Sequence, residues 1–137
     1  VKLIVFGASR GVGRQVVEQA IMAGHQVVAF ARQPQFEPQP RLEVVHGDSR
    51  KGPVAAMAWM FLRSALEEHE RQEAIIRASN LDWTIIRPTG LTFDAASGKV
   101  RVGSVGRGRI ARADVAAFML TCLTDASSKG RSITVST

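Results

Sequence analysis

Three glycines enclose the segment Gly7-Ala8-Ser9-Arg10-Gly11-Val12-Gly13, and this spacing suits one kind of chemistry, the close approach of an anion to the main chain. Glycine is needed where a chain turns tightly, where a phosphate must reach the backbone, and where a helix must pack closely on a strand. A helix that opens at such a turn faces the anion with unpaired N–H groups and the positive end of its dipole. Stepping outward, the segment follows the short apolar run Lys2 to Phe6. It leads into Val12, Val16, Ala20 and Ala23, which recur at helical spacing. Gly24 stands where a helix end favours a left-handed residue, and Gln26 to Phe30 follows as a second buried strand. Strand, glycine turn, helix and strand make a βαβ unit, the context in which such a pattern signifies a dinucleotide site.

The end of the second strand selects between two dinucleotides. A cofactor lacking a 2′-phosphate is usually held there by an acid, about 20 residues beyond the glycines. This chain has Arg32 at that place and no acid between Glu18 and Glu37, while Arg10 within the turn supplies a second cation. Guanidinium groups match phosphate oxygens in charge and geometry, so the residues point to NADP(H). Asp48 follows the third strand, in the stretch Gly47-Asp48-Ser49, where strand ends line the ligand crevice. It either accepts a hydrogen bond from an adenine amino group or serves as a turn aspartate.

Further along, Pro34, Pro38 and Pro40 make a loop, and Leu42 to Val45 forms a third strand. Val54 to Ala78 is helical in pattern, and its start, Val54 to Leu62, is apolar all round, as in a buried helix. Trp83 to Ile86 reads as a strand stopped at Arg87 by Pro88, and Gly98 to Gly108 as a hairpin or loop. A helix from Asp114 to about Leu123 precedes a closing strand, Ile133 to Val135. The expected fold is α/β: a Rossmann-type, doubly wound parallel sheet, residues 1–137 forming a single NAD(P)-binding domain with helices on both faces.

Composition narrows the function. Apolar residues make up 45% of the 137 positions and charged residues 22%, ordinary for a globular core. Lysine and arginine exceed acids by 18 to 12, which draws anionic partners, but the charges are dispersed and aromatics for base stacking are few, so nucleic acid is not expected. No apolar run approaches the roughly 18 residues of a membrane span. The single cysteine, Cys122, allows no internal disulfide and fits a cytoplasmic location.

Taken together, Gly7 to Gly13, Ala31-Arg32 and Gly47-Asp48 resemble the atypical short-chain dehydrogenase/reductase group, in its NAD(P)H-binding branch of NmrA-like, flavin reductase and biliverdin-IXβ reductase types. Asn80-Leu-Asp-Trp-Thr-Ile-Ile-Arg-Pro88 and Arg112-Ala-Asp-Val-Ala116 are similar to two further motifs of that group. The resemblance implies that Ser9, Arg10, Gly11 and Val12 surround phosphates and that Arg32 meets the 2′-phosphate. It also implies that Asp48, with Ser49 beside it, meets adenine, and that Pro88, Thr89, Gly90 and Leu91 lie beside the nicotinamide.

Two departures shape the functional expectation. Main-branch members use a Tyr-x-x-x-Lys pair to move a proton at the substrate oxygen. This sequence has no tyrosine, and alignment with the group puts Ala65 and His69 at those places. Alcohol–ketone chemistry by that pair is therefore excluded and the missing tyrosine argues strongly against a sugar-nucleotide epimerase relative, the third possibility, whereas hydride transfer from NADPH to a flavin or another planar acceptor survives the loss. His69 is either a proton donor or a helix-surface histidine, and Met57, Trp59 or Phe61 either cover a flat substrate or fill the core. A redox sensor that binds NADP(H) without turnover is the alternative function, and no spacing of histidines suggests a metal. The second departure is a missing strand-helix-strand near Ser49 to Pro53, which would leave the first strand with an open apolar edge.

Overall fold

A computed structural model describes residues 1–33, 35–46, 69–103 and 108–137, with side chains described outside 69–72. Its first half is the βαβ unit that the glycine spacing requires. Strand β1 (Lys2–Phe6), helix α1 (Gly11–Met22) and strand β2 (Gln26–Ala31) follow in order, and β3 (Leu42–His46) lies on the far side of β2. Both pairings are parallel, with Phe6 level with Phe30 and Ala31 level with His46. That register brings the Phe6 and Phe30 rings to 5.5 Å between centroids. Leu3 and Val5, alternate residues of β1, meet Val17 and Ala20 of α1 and Val27, Ala29 and Ala31 of β2 in a first core. Full burial of Val17 and Val27 contributes about 1.5–3 kcal/mol each.

The second half comprises α2 (His69–Ala78), β4 (Thr84–Pro88), β5 (Gly90–Thr92), β6 (Arg101–Val102), β7 (Arg109–Ala111), α3 (Arg112–Cys122) and β8 (Arg131–Ser136). β4 runs parallel to β8 and β5 parallel to β7, while β6 runs antiparallel to β8. A second core gathers Ile110, Val115, Ile133 and Val135. The halves interlock through two helices. Val12 of α1 packs on the second core and Leu120 of α3 on the first. The Gln19 side chain also donates to the Ala113 carbonyl at 2.9 Å. The result is the Rossmann-type α/β architecture that the sequence pattern implies.

Several boundaries differ from expectation by a residue or two, the closing strand running Arg131–Ser136 rather than Ile133 to Val135, and three differ for a physical reason. The fourth strand does not stop at Arg87 but includes Pro88, because a missing N–H costs nothing at the last strand position and bonding resumes at Thr89, whose N–H donates to the Val135 carbonyl at 3.0 Å. The span Gly98 to Gly108 is more than a loop, since it holds β6 and runs directly into β7. The last helix begins at Arg112 rather than Asp114, which occupies its third position, where a carboxylate suits the helix dipole. The helix expected from Val54 is described from His69 onward, and the interruption expected near Ser49 to Pro53 lies outside the described residues. Among the described residues β1 pairs with β2 alone, which leaves its other edge without a described partner, while Ile4 and Phe6, on the face away from α1, are 60% and 42% exposed.

Candidate functional site

The glycine turn is built by close backbone packing. Gly7 and Gly11 adopt positive φ, and the Gly7 N–H donates to the Phe30 carbonyl at 3.1 Å, pinning the turn to β2. A Cβ at Gly13 would lie 2.5 Å from the Gly7 carbonyl oxygen, so only glycine lets α1 start this close to β1. At the helix start Arg10 is extended, with φ −149° and ψ 166°, and makes no side-chain cap, and the first turn contains no acid. The first N–H groups of a helix have no intrahelical partner, and here no side chain among the described residues caps them. This is a cradle for an anion, formed by backbone donors and a helix dipole.

Cations surround it. Arg10 is exposed on the turn. Arg32 is exposed two residues past the carbonyl that holds Gly7, and neither guanidinium forms a hydrogen bond or ion pair among the described residues. Ser9, Gly11, Val12 and Gly13 lie in or at the end of the same turn, so six of the cradle residues anticipated from sequence are brought together with Arg32. Asp48, Ser49, Met57, Trp59 and Phe61 lie outside the described residues, as does the side chain of His69.

The strand-end segment approaches from the other half. Thr89 is held to β8 through Val135, and the Gly90 N–H donates to the Gly108 carbonyl at 3.2 Å. Leu91 follows in β5 at 38% exposure. Because Thr92 is level with Ala111, the next residues, Phe93 and Arg112, leave their strands side by side. The Arg112 guanidinium carbon lies 3.8 Å from the Phe93 ring centroid. Its Nε lies 3.7 Å from where a Cβ on Gly11 would stand. Arg112 therefore joins the β5 end to the glycine turn. Sequence reasoning saw it only as part of a late motif, although a cation at the first position of a helix, opposed by the dipole, was the available signal.

Asp114 was also underestimated. Its buried carboxylate accepts hydrogen bonds from the Ser97 N–H at 2.9 Å, the Ser97 hydroxyl at 2.8 Å and the Gly98 N–H at 2.9 Å. Burial pushes its pKa up, but the bonds from Ser97 and Gly98 outweigh that and hold it below the ordinary carboxylate value. Asp114 thereby ties the loop after Phe93 to the start of α3. Burial raises the Cys122 thiol, which suits a packing role rather than a nucleophile. Among the described residues no group of three or more His, Cys, Asp or Glu side chains could hold a metal. No described helix is long and apolar enough to cross a membrane. A shallow depression of about 180 Å³ lined by Lys2, Gln26, Arg41 and Glu43 lies at the amino ends of the strands, opposite the turn, and takes no part in the site.

This geometry agrees with what comparison with known proteins finds. The chain matches the profile of a family described as NAD(P)H-binding over two overlapping stretches, residues 7–58 and 46–126. UPF0659 protein C216.03 of Schizosaccharomyces pombe is 50% identical over 34 residues, which is 25% of this chain and 14% of that protein, so the chain's match spans a small part of its relative. A short-chain dehydrogenase/reductase of Veillonella parvula, solved in complex with NADP, superposes with a TM-score of 0.79 at 16% identity, covering 99% of this chain and 94% of that one. ChuY of Escherichia coli O157:H7, described as an anaerobillin reductase, superposes with a TM-score of 0.73 at 20% identity over 98% and 96% of the two chains. At such identities the likeness is one of fold.

Proposed function

The chain belongs to the NAD(P)H-binding family, and from that premise we propose that it is of atypical short-chain dehydrogenase/reductase type, an NADPH-dependent oxidoreductase of the flavin-reductase kind that passes hydride to a flavin or a similar planar acceptor. The observation that carries this reading is the start of α1, which its N-cap side chain leaves uncapped, with Arg10 at its N-cap and Arg32 just past the end of β2, both exposed and without a side-chain partner among the described residues. The residues fit such a cofactor: a Cβ at Gly13 would push the helix off the turn, and Arg10 and Arg32 carry the charge that a 2′-phosphate would meet. When bound, the reduced nicotinamide supplies a hydride, and the acceptor takes its proton from solvent.

In this reading the protein's own residues bind and orient. The N–H groups at the start of α1 hold the phosphates, and Arg10 and Arg32 select the phosphorylated ribose. Thr89 and Gly90, fixed by Val135 and Gly108, set the height of the β5 end beside the reacting ring. Exposed apolar surface on Leu91 and Phe93 supports a flat acceptor, which would stack there rather than require a proton donor. No tyrosine occurs in the sequence, so no step depends on one. ChuY, described as an anaerobillin reductase, and the Veillonella protein, solved with NADP, support the same direction.

The test is to mix the protein with NADPH, with and without excess FMN or riboflavin, following binding by nicotinamide fluorescence and oxidation by absorbance at equal protein concentration. Flavin-dependent oxidation is expected. Tight binding with no oxidation of any planar acceptor would replace the reductase with a sensor of the NADP(H) redox state. Arg32→Ala should weaken NADPH by about ten- to a hundred-fold, the worth of a charge-assisted contact, and leave NADH nearly unchanged. Equal losses would remove Arg32 from the 2′-phosphate.

A further inference from the structure

Among the described cations beside the cradle, Arg112 is the one with a buried nitrogen left unsatisfied. Its Nη1 nitrogen is buried from solvent and has no hydrogen-bond partner among the described residues. No carboxylate among the described residues pairs with it, and Asp114, two residues on, is saturated by Ser97 and Gly98. Its position works against folding stability in two ways. A cation at the first residue of α3 is repelled by the helix dipole, and a buried guanidinium nitrogen without an acceptor carries its desolvation cost. Stacking on Phe93 offsets little of this, because that ring is 87% exposed.

All three features make sense if an anion completes the group. Arg112 lies against Gly11, at the start of α1, whose uncapped N–H groups are the phosphate cradle. Arg10 and Arg32 stand on the turn and at the end of β2, whereas Arg112 enters from α3, on the side of the β5 end. We propose that Arg112, braced on Phe93, clamps the pyrophosphate bridge of the dinucleotide against the start of α1, a contact common to NADPH and NADH. This rests on the dinucleotide-binding reading above. Phe93 holds the plane of the guanidinium, so that the fork faces the phosphate and not solvent. Arg112 is thus a binding residue for the shared part of the cofactor, and Arg32 for the part that distinguishes NADPH.

Calorimetric or fluorescence titration of the whole chain with three probes tests the division: NADPH, NADH and 2′-AMP, the last carrying adenine and the 2′-phosphate but no phosphate bridge. Arg112→Gln is expected to weaken NADPH and NADH by the same factor, about ten- to a hundred-fold, and to leave 2′-AMP unchanged. Arg112→Lys should recover part of the loss, because it keeps the charge without the fork. Phe93→Leu, at an exposed position that leaves the fold intact, should weaken both dinucleotides by a few-fold, again sparing 2′-AMP. If Arg112→Gln or, should that variant not fold, Phe93→Leu binds both dinucleotides as the parent does, the clamp is wrong. A loss of 2′-AMP equal to that of NADPH would move Arg112 to the 2′-phosphate and also overturn it. Failure of the unmodified protein to bind either dinucleotide would instead remove the dinucleotide reading itself.

Discussion

The glycine turn and the start of α3 both present a helix N-terminus to the same region, yet they are built in opposite ways. The turn is local: seven consecutive residues make it, its functional groups belong to the backbone, and the side chain that matters most at Gly13 is the one that is missing. The start of α3 is assembled from distant pieces. Phe93 meets Arg112 and Ser97 meets Asp114 only because β5 and β7 pair in parallel with Thr92 level with Ala111. A backbone cradle tolerates changes in side chains but not in space, while a side-chain assembly fails when one partner is removed.

The largest expected effect tests the tolerance of the turn for added bulk. Gly13→Val places side-chain atoms where even a Cβ would sit 2.5 Å from the Gly7 carbonyl oxygen, and should destabilise the protein by about 3 kcal/mol or more. Thermal unfolding measures this, and a variant of unchanged stability would mean that the helix does not sit as close to β1 as described.

At the other region, Asp114→Ala leaves the Ser97 and Gly98 donors without their acceptor, at a cost of about 2–3 kcal/mol. Proteolysis should then cut the loop after Phe93 sooner than any other described segment. A protected loop would show that other contacts hold it.

Acid provides a finer probe of the same contact. The folded pKa of Asp114 lies below its ordinary value, so its contribution is fully present above the unfolded pKa of about 3.9 and is lost as pH falls through the lower folded value. Between pH 5 and pH 2 the unmodified protein should lose melting temperature faster than Asp114→Asn, and parallel curves would deny the carboxylate that role.

The smallest effect is a control on the surface. Lys129 and Asp82 form an exposed ion pair, and Lys129→Ala should change stability by no more than about 0.5 kcal/mol. A large change there would mean that charge pairing matters outside the two regions contrasted here.

Much of this was legible from residue order. The spacing of Gly7, Gly11 and Gly13, the helical recurrence of Val12, Val16 and Ala20, and the cation at Arg32 are properties of one short stretch. Local periodicity and turn chemistry report such stretches directly. Arg112 and Asp114 were visible too, but only as a motif and a helix-starting acid. Nothing near them in sequence says that one lies on Phe93 beside Gly11, or that the other binds Ser97 and Gly98. β6 escaped notice for a related reason: two residues, Arg101 and Val102, are too few to show an alternation, and it is β8 that makes them a strand.

The sequence by itself determined the βαβ unit and its phosphate cradle, because a backbone site needs only the right residues in the right order along a few turns of chain. The tertiary structure alone decided which cation reaches that cradle from the other half of the molecule. Strand register and the packing of α1 on α3 are set by contacts between residues nearly a hundred positions apart, such as Gln19 and Ala113, and no local pattern encodes the side on which such residues meet.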